Sequence, residues 1–307
     1  MTTPTDIRDS VAEAYTRAVN TPKPQGSTCC QPVQKGVVVK SAGYTAEELA
    51  ALPADAVENS FGCGNPLAFS EVKPGDTVLD LGSGAGIDLL IAAKKVGSAG
   101  RVIGIDMTDD MIERARANLA AAGVTHAEVR KGLIEQMPVD DHSVDWVISN
   151  CVINLSPEKP KVFAEIARVL KPGGKMLVSD IVAEELPESV RVDERLYCSC
   201  VAGAIGEDAY LQGLRDAGLV NVAVRERIVY DEAQLEGFIM SELPQSAQGS
   251  CCCGDTCAPT PDSSASTPEA AAPAPDGFAS TPASAAELAK TMLSKIWSAK
   301  VYAEKPA

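Results

Sequence analysis

A doubly wound α/β fold, in which helices cover both faces of a mainly parallel sheet, is what this sequence predicts. Three observations carry the prediction. From Asp76 onward, short runs rich in Val, Ile and Leu alternate with amphipathic helical patterns. One of those runs, "DTVLDL", passes directly into glycines at alternate positions, "GSGAG". The chain then closes on "KIWSAKVYAEKP", whose apolar and polar residues alternate as in a strand. A length of 307 residues with 45% hydrophobic content suffices for one large domain with appendages, and 4% aromatic content predicts a core of Val, Ile, Leu and Ala.

Element by element, "DIRDSVAEAYTRAV" predicts an N-terminal helix, followed by the polar stretch "NTPKPQGSTCCQP". A second helix starts at "TAEELAAL", where Thr45 and Glu48 have capping-box spacing. These make residues 1–60 an N-terminal helical cap. The domain proper spans 61–232 and alternates strand and helix: "DTVLDL", "IDLLIAAKKV", "RVIGID", "DDMIERARANLAAAG", "HAEVRKG", "VDWVIS", "KVFAEIARVL" and "KMLVSDIV". Thr108 stands where it can cap the helix that opens with Asp109 and Asp110, and Gly123 where it can end it. After "DAYLQGLRDAGLV" comes the strand pattern "NVAVRERIVY". Residues 233–293 read as a flexible insertion of Pro, Ala, Ser and Thr around "CCCGDTC", and 294–307 as a terminal strand that returns to the sheet antiparallel.

Charge narrows the partners. A formal net charge of −15 without a basic patch argues against a phosphate-backbone partner, so a small substrate is expected rather than nucleic acid. The start "MTTPTDIRDS" has no apolar signal region, and no run of about 18 apolar residues occurs, which predicts a cytoplasmic chain with no membrane span. In a reducing compartment the ten cysteines are core fillers, soft-metal ligands or redox thiols rather than a disulfide framework.

The glycine loop follows a strand and opens a helix, so its backbone can approach a ligand where a side chain would collide. A plain tight turn is the bland alternative. Two features point further: the spacing is G-x-G-x-G rather than the dinucleotide G-x-G-x-x-G, and Asp106 ends the next strand twenty residues after Gly86, where an acid can bind ribose hydroxyls. With "DLGSGAG", "GID" and "RVLKPGGKMLVSD" so placed, the sequence resembles the class I S-adenosylmethionine-dependent methyltransferases. The resemblance implies their Rossmann-like sheet with terminal antiparallel strands and a donor site formed by Asp80, Gly82, Ser83, Gly84, Gly86, Asp106, Met107, Ile134, Glu135 and Asn150. Asp80 and the loop would face the methionine end, Asp106 the ribose, and the segment of Ile134 and Glu135 the adenine. For Glu135 a solvated acid is the alternative.

Cys63 in "FGCGNPL", Cys151 in "SNCVINL" and Cys200 in "CSCVAGA" are far apart in sequence, yet loops at the carboxyl ends of doubly wound strands line one crevice. Three soft thiolates beside a methyl donor suit a thiophilic centre. They lack C-x-x-C spacing and a neighbouring histidine, which disfavours zinc. "SFGCGNPLAF", "VLDLGSGAGID", "SNCVINL" and the cysteine before "GA" together resemble the arsenite S-adenosylmethionine methyltransferases. That resemblance implies Cys63, Cys151 and Cys200 as ligands of trivalent arsenic, with Cys29 or Cys30 as a redox cysteine pairing with Cys63. It implies arsenite and methylarsenite as substrates and a thiol reductant such as thioredoxin or glutathione. The lone pair of thiolate-bound arsenic would attack the sulfonium methyl in line, giving methylated arsenic for detoxification. Two other readings keep the same residues: a small-metabolite C- or O-methyltransferase with the cysteines as filler, or a non-enzymatic thiol protein that binds metalloids. Cys198 reads as core filler, and His126 and His142 as residues without chemistry.

Overall fold

The protein is described by a computed structural model covering residues 3–20, 44–60, 62, 64–65, 71–191, 197, 200–232, 234–235 and 290–307. Cys29, Cys30, Cys63, Cys198 and the cysteine-rich part of 233–293 lie outside the described residues. Helix α1 spans Pro4–Asn20, and short helices α2 (Ala46–Ala50) and α3 (Ala54–Glu58) precede the sheet. Then follow β1 (Thr77–Leu81), α4 (Ile87–Val96), β2 (Arg101–Asp106), α5 (Asp109–Ala121), β3 (Ala127–Lys131) and β4 (Val144–Asn150). The rest is a 3-10 turn at Ile153–Leu155, α6 (Lys159–Val169), β5 (Leu170–Ala183), α7 (Glu188–Arg191), α8 (Glu207–Asp216), β6 (Val220–Val229) and β7 (Ile296–Glu304).

The strands form one seven-stranded sheet of order β3-β2-β1-β4-β5-β7-β6. The five from β3 to β5 run parallel, and β7 runs antiparallel to both β5 and β6. The predicted return of the terminal strand is therefore present, and β7 goes further than a hairpin partner: it fills the interior position between β5 and β6.

Alternation along each strand explains the two apolar layers. Val78, Val102 and Ile148 pack with Leu89, Ala92 and Ile112 of α4 and α5 on one face. Their sequence neighbours Leu79, Ile103 and Val147 pack with Phe163, Ile166 and Leu214 of α6 and α8 on the other. A strand buried on both faces has no polar alternation, which is why these runs read as continuously apolar.

Helix ends follow the predicted chemistry with one difference. Gly123, at φ +67, ends α5, with its N–H and that of Val124 bonded back to the Ala120 and Leu119 carbonyls. Thr108 precedes α5 in extended conformation, but its side chain makes no capping hydrogen bond. The hydroxyl instead serves the half-buried Asp106 carboxylate.

Candidate active site

The sheet order reverses between β1 and β4, and at their carboxyl ends lies a cavity lined by residues of α1, the glycine loop, β2 and the turn after β4. Gly82 and Gly84 adopt left-handed φ of +65 and +51. A Cβ at Gly82 would collide with Val152, whereas one at Gly84 would meet open space, so the loop backbone faces room for a ligand. The Gly84 N–H donates to Asp106 Oδ2 and the Thr108 N–H to Asp106 Oδ1, both at 2.9 Å. Asp106 thus shapes the loop as well as lining the cavity.

Acids crowd this pocket. Burial, then the neighbouring Asp88 and Asp106, push the Asp80 carboxyl well above the ordinary carboxylate range. Burial also raises Asp106, against the pull of its backbone hydrogen bonds. Asp88 is pushed up to about 6 by burial, opposed by hydrogen bonds from Tyr44 and Asn150. Asp80 Oδ2 and Ser83 Oγ are buried without a hydrogen-bond partner among the described residues. Buried polar atoms ordinarily have partners, so these two mark a ligand-facing surface, and the excess of carboxylates suits a cation. This donor set fits a sulfonium nucleoside.

Helix α1 covers the pocket through Arg8, Val11 and Tyr15. Arg8 donates to Glu135 Oε1 through Nε at 3.1 Å and Nη2 at 2.9 Å, and reaches Glu158 at 2.6 Å. Ser156 Oγ donates to the same Glu135 oxygen at 2.7 Å. With a side chain only 6% exposed, Glu135 is a buried, paired acid rather than the solvated one that local sequence allowed. Met107 and Ile134 line the same cavity.

Two of the three predicted ligand cysteines fall within the described residues, and the fold brings them together. Cys151 follows β4 and Cys200 follows the segment after β5; both are 4% exposed and belong to one apolar cluster with Leu155, Ile181 and Val201. The Cys200 thiol donates to the Cys151 carbonyl at 2.6 Å. Both have left-handed backbones, at φ +62 and +65, which costs an L-residue with a Cβ roughly 1–2 kcal/mol. Cys151 is disulfide-bonded, to a partner not among the described residues, while Cys200 remains a thiol. Cys151 also lines the cavity that holds Asp80, Gly84 and Asp106.

Residues 72–218 match a family described as "Methyltransferase domain". An arsenite methyltransferase of Halobacterium salinarum is 45% identical over 197 residues, covering 64% of this chain and 50% of that protein. One from Mus musculus is 34% identical over 210 residues, 65% of this chain and 54% of its own length. The crystal structure of an arsenic(III) S-adenosylmethionine methyltransferase from Chlamydomonas reinhardtii superposes with a TM-score of 0.56 at 37% identity, covering 65% of this chain and 67% of that one. The chain belongs to the arsenite S-adenosylmethionine methyltransferase family.

This arsenite methyltransferase family member spans about half the length of the curated relatives it matches. Among its described residues no helix is long and apolar enough to cross a membrane.

Several site residues of this family member were not legible in the sequence. Arg8 lies 127 positions from Glu135 in an ordinary helix pattern, and nothing local marks it. Tyr44 donates to Asp88 Oδ1 at 2.8 Å beneath the glycine loop. Asn150, read as a donor-binding residue, lines the cavity, but its side-chain amide is engaged by Gly64, Tyr44 and Asp88. Asp180 is buried and Lys159 half-buried; loss of solvent around them pushes Lys159 down to about 8 and Asp180 up to about 7.

Proposed function

We propose that this chain methylates trivalent arsenic with S-adenosylmethionine, acting on arsenite and methylarsenite for detoxification in a reducing, cytoplasmic compartment. The observation that carries the reading is the meeting, in one cavity, of orphaned polar atoms on Asp80 and Ser83 with a left-handed cysteine at the end of β4. Bound there, the donor would supply an electrophilic methyl group on a sulfonium cation.

The glycine backbone at 82–86 and Ser83 would hold the methionine end with Asp80, Asp106 the ribose hydroxyls, and Met107, Ile134 and the Glu135 segment the adenine. The carboxylates around the pocket would balance the sulfonium charge. Each thiol of Cys63, Cys151 and Cys200 would replace one hydroxyl of arsenite and release water, leaving pyramidal arsenic with its lone pair directed at the methyl group. No general base is needed for that displacement. Burial of Cys151 and Cys200 keeps water from the thiolates, and orientation is the main catalytic device, with effective molarities of about 10⁵ M or more available from positioning alone.

Methyl transfer leaves arsenic formally pentavalent. Two thiolates would return it to the trivalent state by giving up two electrons and closing a disulfide, with Cys29 or Cys30 as partner of Cys63. An external dithiol or glutathione would reopen it. The disulfide at Cys151 means that such a reductant would also prime the site.

Arsenite-dependent conversion of S-adenosylmethionine to S-adenosylhomocysteine, measured with thioredoxin or glutathione present, tests the reading. Turnover only with an organic acceptor would replace it with a small-metabolite methyltransferase. Arsenite binding without donor consumption would replace it with a metalloid-binding thiol protein.

A further inference from the structure

Among the described residues, four acids line the cavity, Asp80, Asp88, Asp106 and Glu135, against one basic side chain, Arg8. Arg8 is committed to Glu135 and Glu158. Nothing cationic among the described residues bonds to the other three acids. Asp106 takes the Gly84 and Thr108 N–H groups, and Asp88 takes the Tyr44 hydroxyl at 2.8 Å and the Asn150 amide at 3.2 Å. Asp80 and Asp88 are the most enclosed, at 2% and 4% exposed. They stand on adjoining elements, β1 and the first turn of α4, joined by the glycine loop.

Asp80 Oδ2 and Ser83 Oγ are buried in the wall of this cavity without a partner among the described residues. An orphaned carboxylate oxygen near a second buried acid is stable only when the pair keeps a proton or gains a cation. The titratable groups that bear on the pair are all acidic: Asp106 on β2 acts on Asp80, and Tyr44, ahead of α2, acts on Asp88. Burial raises both carboxyls, Asp88 to about 6, and the charges of Asp88 and Asp106 add to the rise at Asp80.

We propose that Asp80 and Asp88 together hold one proton while the pocket is empty and release it to solvent when a sulfonium nucleoside enters, so that Asp88 makes the site select the cationic donor over its neutral product. The proposal rests on the donor reading given above. S-Adenosylmethionine and S-adenosylhomocysteine carry the same ammonium and carboxylate groups and differ by the methyl on sulfur, hence by one positive charge. Entry of that charge favours the fully ionised pair, and the Tyr44 and Asn150 hydrogen bonds hold the Asp88 carboxylate in its ionised form. The empty pocket therefore binds the proton more tightly than the loaded one. Donor affinity should rise as pH climbs from about 5 to about 7, and product affinity should rise less.

Calorimetric titration of the full chain with each of the two ligands, in buffers of differing ionisation enthalpy between about pH 5.5 and about pH 7.5, tests this, because the dependence of heat on buffer counts the protons released. Near pH 6 the expected result is roughly half a proton or more released per donor bound and less than half that amount per product. Asp88→Asn should remove most of that difference and weaken the donor about tenfold, leaving product Kd within about threefold of wild type. Tyr44→Phe deletes a hydrogen bond that favours the ionised carboxylate, so it should move the donor-linked release to higher pH. That variant keeps every carboxylate and decides the question should Asp88→Asn fail to fold. Equal proton release with donor and product would overturn the inference, as would an Asp88→Asn variant that weakens both ligands alike or a release curve that Tyr44→Phe does not move. Binding of both ligands without linked protons removes the inference alone. A wild type that binds neither removes the donor reading and the inference with it.

Discussion

The Cys200 thiol donates to the main-chain carbonyl of Cys151 at 2.6 Å, joining two left-handed cysteines that are 49 residues apart in sequence. That contact places both sulfur-bearing residues on the rim formed by the ends of β4 and β5.

Replacing either Cys151 or Cys200 by Ser should abolish methylation of arsenite and of methylarsenite alike, because both substrates need a soft ligand at each position. Turnover assays on the two variants check this, and normal activity in either one rejects the thiolate site.

Asp106→Ala should weaken the donor at least about tenfold. It removes charge-assisted hydrogen bonds worth roughly 1.5–3 kcal/mol and also releases the Gly84 N–H that shapes the loop. Calorimetric titration with S-adenosylhomocysteine measures the effect; unchanged affinity would mean that the donor binds elsewhere.

Gly64→Ala should lower arsenite turnover by forcing its new methyl group into Ser179, and Ser179→Gly in the same chain should restore it. The rescue must delete the whole side chain, since the Ser179 Cβ as well as its hydroxyl stands in the way, the Cβ at 2.6 Å. Ser179→Ala is the control that should fail to rescue, and equal rescue by both would refute the steric account.

Stability should fall as pH rises from about 4 to about 7. Asp180 is fully buried, and burial raises its carboxyl from 3.8 to about 7; Asp88 is raised to about 6. A raised carboxyl means that the folded state holds the proton more tightly, so this contribution is complete below about pH 4 and lost as pH climbs to about 7. Lys159, pushed down from 10.5 to about 8, acts in the separate window above pH 8, where its contribution grows as pH rises. Urea melts of wild type and Asp180→Asn between pH 4.5 and 7 check the sign: the variant should show the flatter slope.

Ending the chain at Ser284 should prevent cooperative folding, because β7 pairs with β5 over nine residues and is the bridge to β6. Deleting residues 245 to 285 should instead leave turnover near wild type at saturating arsenite. Those cysteines lie in a segment of few apolar residues, and their expected role is at most capture of metalloid for transfer to the rigid site. Thermal melts separate the first outcome and saturation kinetics the second.

The elements themselves were determined locally. Runs such as "TVLDL" and "RVIGID" are apolar on both faces and bounded by turn residues, so β1 and β2 and the helices between them follow from period alone. The glycine loop, the acid at the tip of β2 and the presence of cysteines after the strands were equally legible, because backbone approach and soft ligation demand those residue types.

What only the tertiary structure decided are the partners. Arg8 meets Glu135, Tyr44 meets Asp88, and Asn150 meets Gly64 across 127, 44 and 86 residues; Glu135 and Asn150 were legible as site residues, but no local pattern names the partner of either. The same holds for Thr108, which the local pattern assigns to a helix cap and the fold assigns to the carboxylate of Asp106. A strand pattern records which face is apolar, but the strand order β3-β2-β1-β4-β5-β7-β6 determines which carboxyl ends are neighbours. Polar side chains at those ends choose partners by desolvation: once burial removes water from Asp88 or the Asn150 amide, each takes the nearest complementary group, and that group comes from a distant part of the chain.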